Sequence, residues 1–152
     1  MTEVVQLVGF SELEKELENL TKAVGKGVLR RALKTAAMPI ADVANAAAPV
    51  GPTGGYAESF NYSTKLNKRQ AGQHRKMFRD EKAAVEGFVG TNDPAGVQQE
   101  FGNQNHRPQP ALRPAWDAEA KPTLDRLGQE LWSELEKATA RAARRAERQA
   151  RT

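Results

Sequence analysis

The chain has 152 residues and no cysteine, and its 23 basic against 19 acidic residues give a net charge of +4. That length fits one domain, the lack of cysteine excludes disulfides, thiolate metal sites and cysteine nucleophiles, and no apolar run reaches the roughly 18–20 residues of a membrane span. Residues 65–82 hold seven basic and two acidic residues, residues 141–152 hold five arginines and one glutamate, and the remainder is net acidic: an acidic body with two basic appendages.

"EVVQLVGF", residues 3–10, is Val-rich and weakly alternating, and predicts a strand. The start "MTEVVQLVGF" has an early acid and no basic segment, so it does not read as a signal peptide. Ser11 and Glu14 form a capping box, and Leu13, Leu17 and Leu20 follow at helical spacing, so a helix is expected over 11–23. Val28, Ala32, Ala36, Ile40 and Ala44 lie on one stripe of a second helix that runs to about Ala47. Pro39 inside it removes one backbone bond and predicts a kink near Thr35–Met38.

"APVGPTGG", Ala48 to Gly55, follows. A phosphate-binding loop needs a strand before it and a Lys and Ser/Thr after its last glycine, at a helix start. Here the order is helix, loop, strand, and Tyr56 and Ala57 follow, so Pro49, Gly54 and Gly55 read as a structural turn. Two strands are then expected, over 56–66 and 83–91. The 16 residues between them are long for a hairpin loop. They predict a projecting, mobile basic arm over about 67–82, with Lys68, Arg69, Arg75, Lys76 and Arg79 as interface candidates. "NKRQAGQHRK" has no large apolar side chain to dock, so the arm is expected to be disordered in an isolated subunit and ordered, or at least protected, in the assembly.

Residues 93–113 read as irregular, with a short helical turn from Pro94. "EFGNQNHRPQPALRP" favours a fixed, extended path. Phe101 and Leu112 are expected to anchor it in the core, and Arg113 to hold a carbonyl or carboxylate. Pro114 suits the first turn of a last helix, with Trp116, Leu124, Leu127, Leu131 and Leu135 on its stripe and Pro122 as a kink or restart. From Pro122 to Ala150 that helix is about 44 Å long, against a globule of about 30–40 Å. Its end, with Arg141, Arg144, Arg145 and Arg148, is expected to overhang the body, fray, or dock on a neighbour. Hydrophobic residues make up 39% of the chain, but 24 of them are alanine. So few large side chains suggest burial completed against other subunits.

No catalytic, cofactor or metal constellation emerges. His74 and His106 lie in polar loops without ligand-spaced partners. The hydroxyls of Thr53, Ser59 and Ser63 lack a base, and Glu12, Glu14, Glu16 and Glu18 read as a solvated helix face. The basic segments could meet DNA phosphates, but no stacking aromatics of the single-strand-binding kind interleave with them.

Three segments in order, "ANAAAPVGPTGGYAESF", "VQQEFGN" and "RPQPALRPAWDAEAKPTLDRL", resemble the small tail-component, or head–tail joining, proteins of long-tailed bacteriophages. The family pattern is an alanine-rich helix closing on Ala-Pro, a Thr-Gly turn, a Ser-bearing strand, a Glu-Phe-Gly segment (Glu100, Phe101, Gly102), then Pro-x-Leu-Arg-Pro-Ala (through Leu112, Arg113 and Pro114) opening a C-terminal helix. The resemblance covers about residues 11–138. The chain departs from it at Gly55–Tyr56, Gly96–Val97 and Ala111.

The resemblance implies a structural, non-enzymatic subunit without cofactors: a head–tail joining, tail-completion or tail-terminator protein of the virion neck, assembled in the bacterial cytoplasm. Its partners would be copies of itself in a ring, taken to be hexameric, the adjoining portal-side and tail-tube proteins, and DNA passing through the channel without sequence-specific binding. The fold expected is α+β: a small, mainly antiparallel sheet with two N-terminal helices and a long C-terminal helix. Residues 1–140 form one domain and 141–152 a basic helical tail. The alternative from a different class is a DNA-binding accessory protein that uses the basic arm and tail.

Overall fold

The computed structural model describes Lys15, Glu18, residues 22–79, Ala83 and residues 85–152. Helix α1 spans Lys22–Ala47, strand β1 Asn61–Ser63, helix α2 Lys68–Met77, strand β2 Phe88–Gly90, helix α3 Gly96–Phe101 and helix α4 Leu112–Ala150. The fold is α+β, with a two-stranded antiparallel sheet and a long C-terminal helix. The strand expected over 3–10 and the Ser11–Glu14 capping box lie outside the described residues. Of the helix expected over 11–23, Lys15 and Glu18 are helical and Lys22 already belongs to α1.

The two long helices pack antiparallel, as Arg31 meets Glu134 while Ala36 meets Arg126. Small residues set the contact. Ala37, Ala41, Ala44, Ala48, Ala111 and Ala115 join Ile40, Tyr56 and Phe60 in one cluster. Val28 and Ala32 meet Leu131, Leu135 and Ala138 in a second. Nine of the fifteen buried hydrophobic residues among those described are alanine. The helices can therefore approach closely, but each contact removes little area from water.

Polar contacts tie the same seam. Helix α4 runs continuously through Pro122, so there is no restart there, and α1 likewise runs continuously through Pro39. In α1 the turn before Pro39 has a carbonyl served from outside: Nε of Arg126 donates to the oxygen of Ala36 at 3.2 Å. The same guanidinium donates to Glu119 at 2.8 Å and to Thr123 at 2.9 Å. Near the other end, Arg31 donates to Glu134 at 2.8 Å. That hydrogen bond holds the Glu134 carboxyl below its ordinary value.

After Ala48 the chain turns. The amide of Gly54 donates to the carbonyl of Gly51 at 3.1 Å, and Gly54 has φ +69°, a conformation that favours glycine. A single 3₁₀ turn, Tyr56–Glu58, then delivers Phe60 to the core. Asn45, on the last turns of α1, grips this corner. Its Nδ2 donates to the Phe60 carbonyl and its Oδ1 accepts from the Phe60 amide, both at 2.9 Å. Asn45→Ala is expected to destabilise the fold by about 1–3 kcal/mol, because it strands both backbone groups of a buried residue. A urea midpoint that falls at constant m-value would show it.

The strands are shorter than the sequence suggests. Asn61, Tyr62 and Ser63 pair with Gly90, Val89 and Phe88. Between them, the expected unstructured arm is a helix. Asn67 caps α2, its side chain accepting from the Gln70 amide while the Gln70 side chain accepts from the Asn67 amide. That reciprocal cap, with Lys, Arg, Gln and Ala in the body of the segment, suffices to organise it locally. The expectation of a disordered arm is thereby corrected to a short helix with no buried residue.

Candidate interaction surface

The "EFG" and "ALRP" segments meet at the start of α4. The first amides of a helix have no acceptor within it. Here Ala111, the N-cap residue, donates its amide to Glu100 Oε2 at 2.8 Å, Leu112 donates to the same oxygen at 3.1 Å, and Arg113 donates to Oε1 at 2.9 Å. The next residue, Pro114, has no amide proton to satisfy. One carboxylate and one proline thus account for all four positions. Ala111 itself has no capping side chain, so the cap comes from eleven residues upstream.

Glu100 is the only buried charged residue among those described, 7% exposed. Burial alone would push its carboxyl up; the amides of Arg113, Ala111 and Leu112 and the Arg113 guanidinium outweigh this and hold it below its ordinary value. Nε of Arg113 donates to Glu100 Oε1 at 3.1 Å, and Nη2 donates to the Glu100 carbonyl at 2.6 Å. Arg113 thus holds both a carboxylate and a carbonyl. Gly102, at φ +74°, lets the chain leave α3 here, and a Cβ would lie 2.8 Å from the Pro108 ring. The amide of Gln109 returns to the Gln99 carbonyl at 2.7 Å, which closes the loop.

Phe101 is not a core anchor. It is 63% exposed, with the Arg113 guanidinium 4.7 Å from its ring centroid. On the six-residue α3, Gly96 and Glu100 face inward. The need of three amides for Glu100 chose that face, and Phe101 and Val97, each one residue on, were turned outward. Leu112 does pack against the first cluster.

Apolar surface is left over around this nexus. A groove of about 580 Å³ lies between α1, β2 and α4, lined by Leu33, Ile40, Val89, Leu112 and Trp116. A neighbouring hollow shares Val89 and Leu112 and adds Val97 and Phe101. Trp116 is 58% exposed and Val97 67%. Trp116 was placed on the helix stripe by its spacing, but at the stripe's open end no second element among the described residues covers it.

Charged surface is carried elsewhere. Lys68, Arg69, Arg75, Lys76 and Arg79 are all exposed, and among the described residues none of them forms a salt bridge. Arg141, Arg144, Arg145 and Arg148 are likewise exposed on α4. Pro49, Gly54 and Gly55 belong to the corner after α1 and lie apart from both basic groups in the chain. His74, read from sequence as a loop residue, sits on α2 between the rings of Phe78 and Phe88, at centroid distances of 4.9 and 5.2 Å. Glu86 is 3.8 Å from it. Among the described residues no group of three or more His, Asp or Glu side chains is placed to hold a metal ion, and no helix is long and apolar enough to cross a membrane.

Compared with known families, residues 11–102 match the one described as "Bacteriophage HK97-gp10, putative tail-component". The match takes in α1, the sheet, the arm and α3, ending on Gly102. No curated protein and no solved structure matches the chain.

Proposed function

Since the chain belongs to the HK97-gp10-like family of phage tail components, we propose that it is a ring-forming subunit of the head–tail junction. As a tail component it is a structural protein of the virion, in contact with other phage structural proteins. The finer reading is a tail-completion or terminator subunit that closes a hexameric ring and meets the portal-side and tail-tube proteins. Residues 1–140 supply the folded domain and 141–152 a docking tail.

The observation that carries this reading is the overreach of α4. The helix has 39 residues, about 58 Å at 1.5 Å per residue. Its last buried residue is Ala138, and residues 139–152 are all exposed. A lone helical end gains little stability by itself in water. The arginines at its C-terminus favour the helix dipole by only about 0.3–1 kcal/mol each. Such an end serves a protein that expects a neighbour.

Deleting residues 141–152 is expected to leave circular dichroism and melting temperature nearly unchanged and to weaken self-association or contact with an adjoining acidic neck protein. Sedimentation at two salt concentrations would also show the wild-type contact weakening as salt rises, because screening shortens to within about 8 Å at physiological ionic strength. A deletion variant that fails to fold, or that assembles and joins heads to tails like the wild type, would refute the assignment.

A further inference from the structure

The helical arm has two sides of different chemistry. At 3.6 residues per turn, Lys68, Arg69, Arg75 and Lys76 fall within about 120° of the circumference of α2. Gly72 lies at the centre of that arc, with open space where a Cβ would be. Arg79, exposed, follows just past the end of the helix. His74 lies on the opposite side and is held by Phe78 and Phe88. The contact that fastens α2 to the body therefore presents its cations outward.

We infer that this face of α2 binds the phosphate backbone of duplex DNA without reading its sequence. The inference stands apart from the ring reading and does not require it.

Three features favour DNA over an acidic protein surface. First, the face has no apolar side chain. Protein interfaces are built around a dry, largely apolar centre with charge at the rim, and here the centre is Gly72. A phosphate backbone asks for no such centre, since its binding is driven by charge and counterion release. Second, the cations are not spent on the protein's own acids, as none of them forms a salt bridge among the described residues. Third, α2 is ten residues long, about 15 Å, and that length of duplex carries about nine negative charges. Single strands are a poorer match. Their non-specific recognition rests on aromatic stacking platforms, and the aromatic groups of the arm, His74 and Phe78, lie off the basic face. Telling all four base pairs apart in the major groove needs acceptors as well as donors, since adenine and cytosine present amino groups. The five cations only donate, so a duplex of unrelated sequence is the test for base reading.

The experiment is fluorescence anisotropy of the full chain with a labelled duplex of arbitrary sequence, about 20 base pairs long, from about 50 to about 200 mM salt. Four or five phosphate contacts predict a slope of log K against log salt of about −3.5 to −4.5, hence a loss of about 130- to 500-fold over that range. Arg69→Glu/Arg75→Glu/Lys76→Glu should weaken binding by at least about 30-fold and flatten the slope. Arg75→Gln/Lys76→Gln removes charge while keeping helix formers, and should weaken binding by about tenfold with unchanged circular dichroism. Arg144→Glu/Arg145→Glu, on α4, should bind like the wild type. A second duplex of unrelated sequence should bind equally, and polyglutamate should bind more weakly at the same salt. The inference fails if both arm variants bind DNA as the wild type does, or if only the α4 variant loses binding. It fails equally if polyglutamate or single-stranded DNA is preferred to duplex.

Discussion

Glu100→Ala is expected to destabilise the protein by at least about 3 kcal/mol, the largest effect of any polar substitution among the described residues. Losing a capping acceptor alone costs up to about 2 kcal/mol, and each buried donor left without a partner costs about 1–3 kcal/mol. Here the Ala111, Leu112 and Arg113 amides lose their acceptor together. For a chain of this size, about 3 kcal/mol lowers the melting temperature by about 6–12 °C. Glu100→Gln keeps one carbonyl oxygen and should lie between. Arg113→Ala should cost less, because the guanidinium is half exposed and its loss leaves the amides of α4 still served.

The same site links stability to pH. The Glu100 carboxyl is held below its ordinary value of 4.5. A depressed folded-state value contributes stability that is fully present above the unfolded value and is lost as pH falls through the folded one. The wild type should therefore lose stability more steeply than Glu100→Gln as pH drops below about 4.5, where the unfolded carboxylate begins to take up its proton. If Glu100→Ala melts within a degree of the wild type, or if the acid limbs of wild type and Glu100→Gln coincide, the carboxylate is not the cap of α4.

Phe60→Ala should cost about 3–5 kcal/mol, the usual toll for truncating a buried phenylalanine. Phe60 is 4% exposed and meets the ring of Tyr56 edge-on at 5.5 Å. Its removal opens a cavity in the first cluster, where the surrounding alanines have no longer side chain to swing into the space. Phe101→Ala should cost less than about 1 kcal/mol, because an exposed ring beside a guanidinium contributes only about 0.5–1 kcal/mol. Measured together by urea unfolding, the pair separates an inward from an outward phenylalanine. Equal losses for the two would overturn the assignment of faces. A Phe101→Ala variant that folds normally but associates poorly would place the Val97–Phe101 surface in a subunit contact.

What the sequence by itself determined was local and periodic. The stripe from Val28 to Ala44 and the stripe through Leu131 and Leu135 mark one buried face on each long helix, and both helices form. "APVGPTGG" marks the corner between α1 and β1, because proline and glycine restrict or free the backbone whatever surrounds them. The order of the three segments pointed to the family that the matched residues 11–102 now show. The arm was misread because a polar segment without apolar side chains looks disordered, although its Asn67–Gln70 cap was present in the letters.

What only the tertiary structure decided were choices between residues far apart in sequence. Glu100 and Phe101 are neighbours on a six-residue helix, and nothing local says which of them faces inward. The answer depends on three amides at the start of a helix eleven to thirteen residues later, whose need for an acceptor outweighs one ring's gain from burial. Likewise nothing in the letters around Pro39 says that the neighbouring Ala36 carbonyl accepts a hydrogen bond from Arg126, 90 residues on; only packing shows it. The groove at Trp116, open among the described residues, follows the same rule: spacing places a side chain on a stripe, but whether another element reaches far enough to cover it is settled only when the helices are docked.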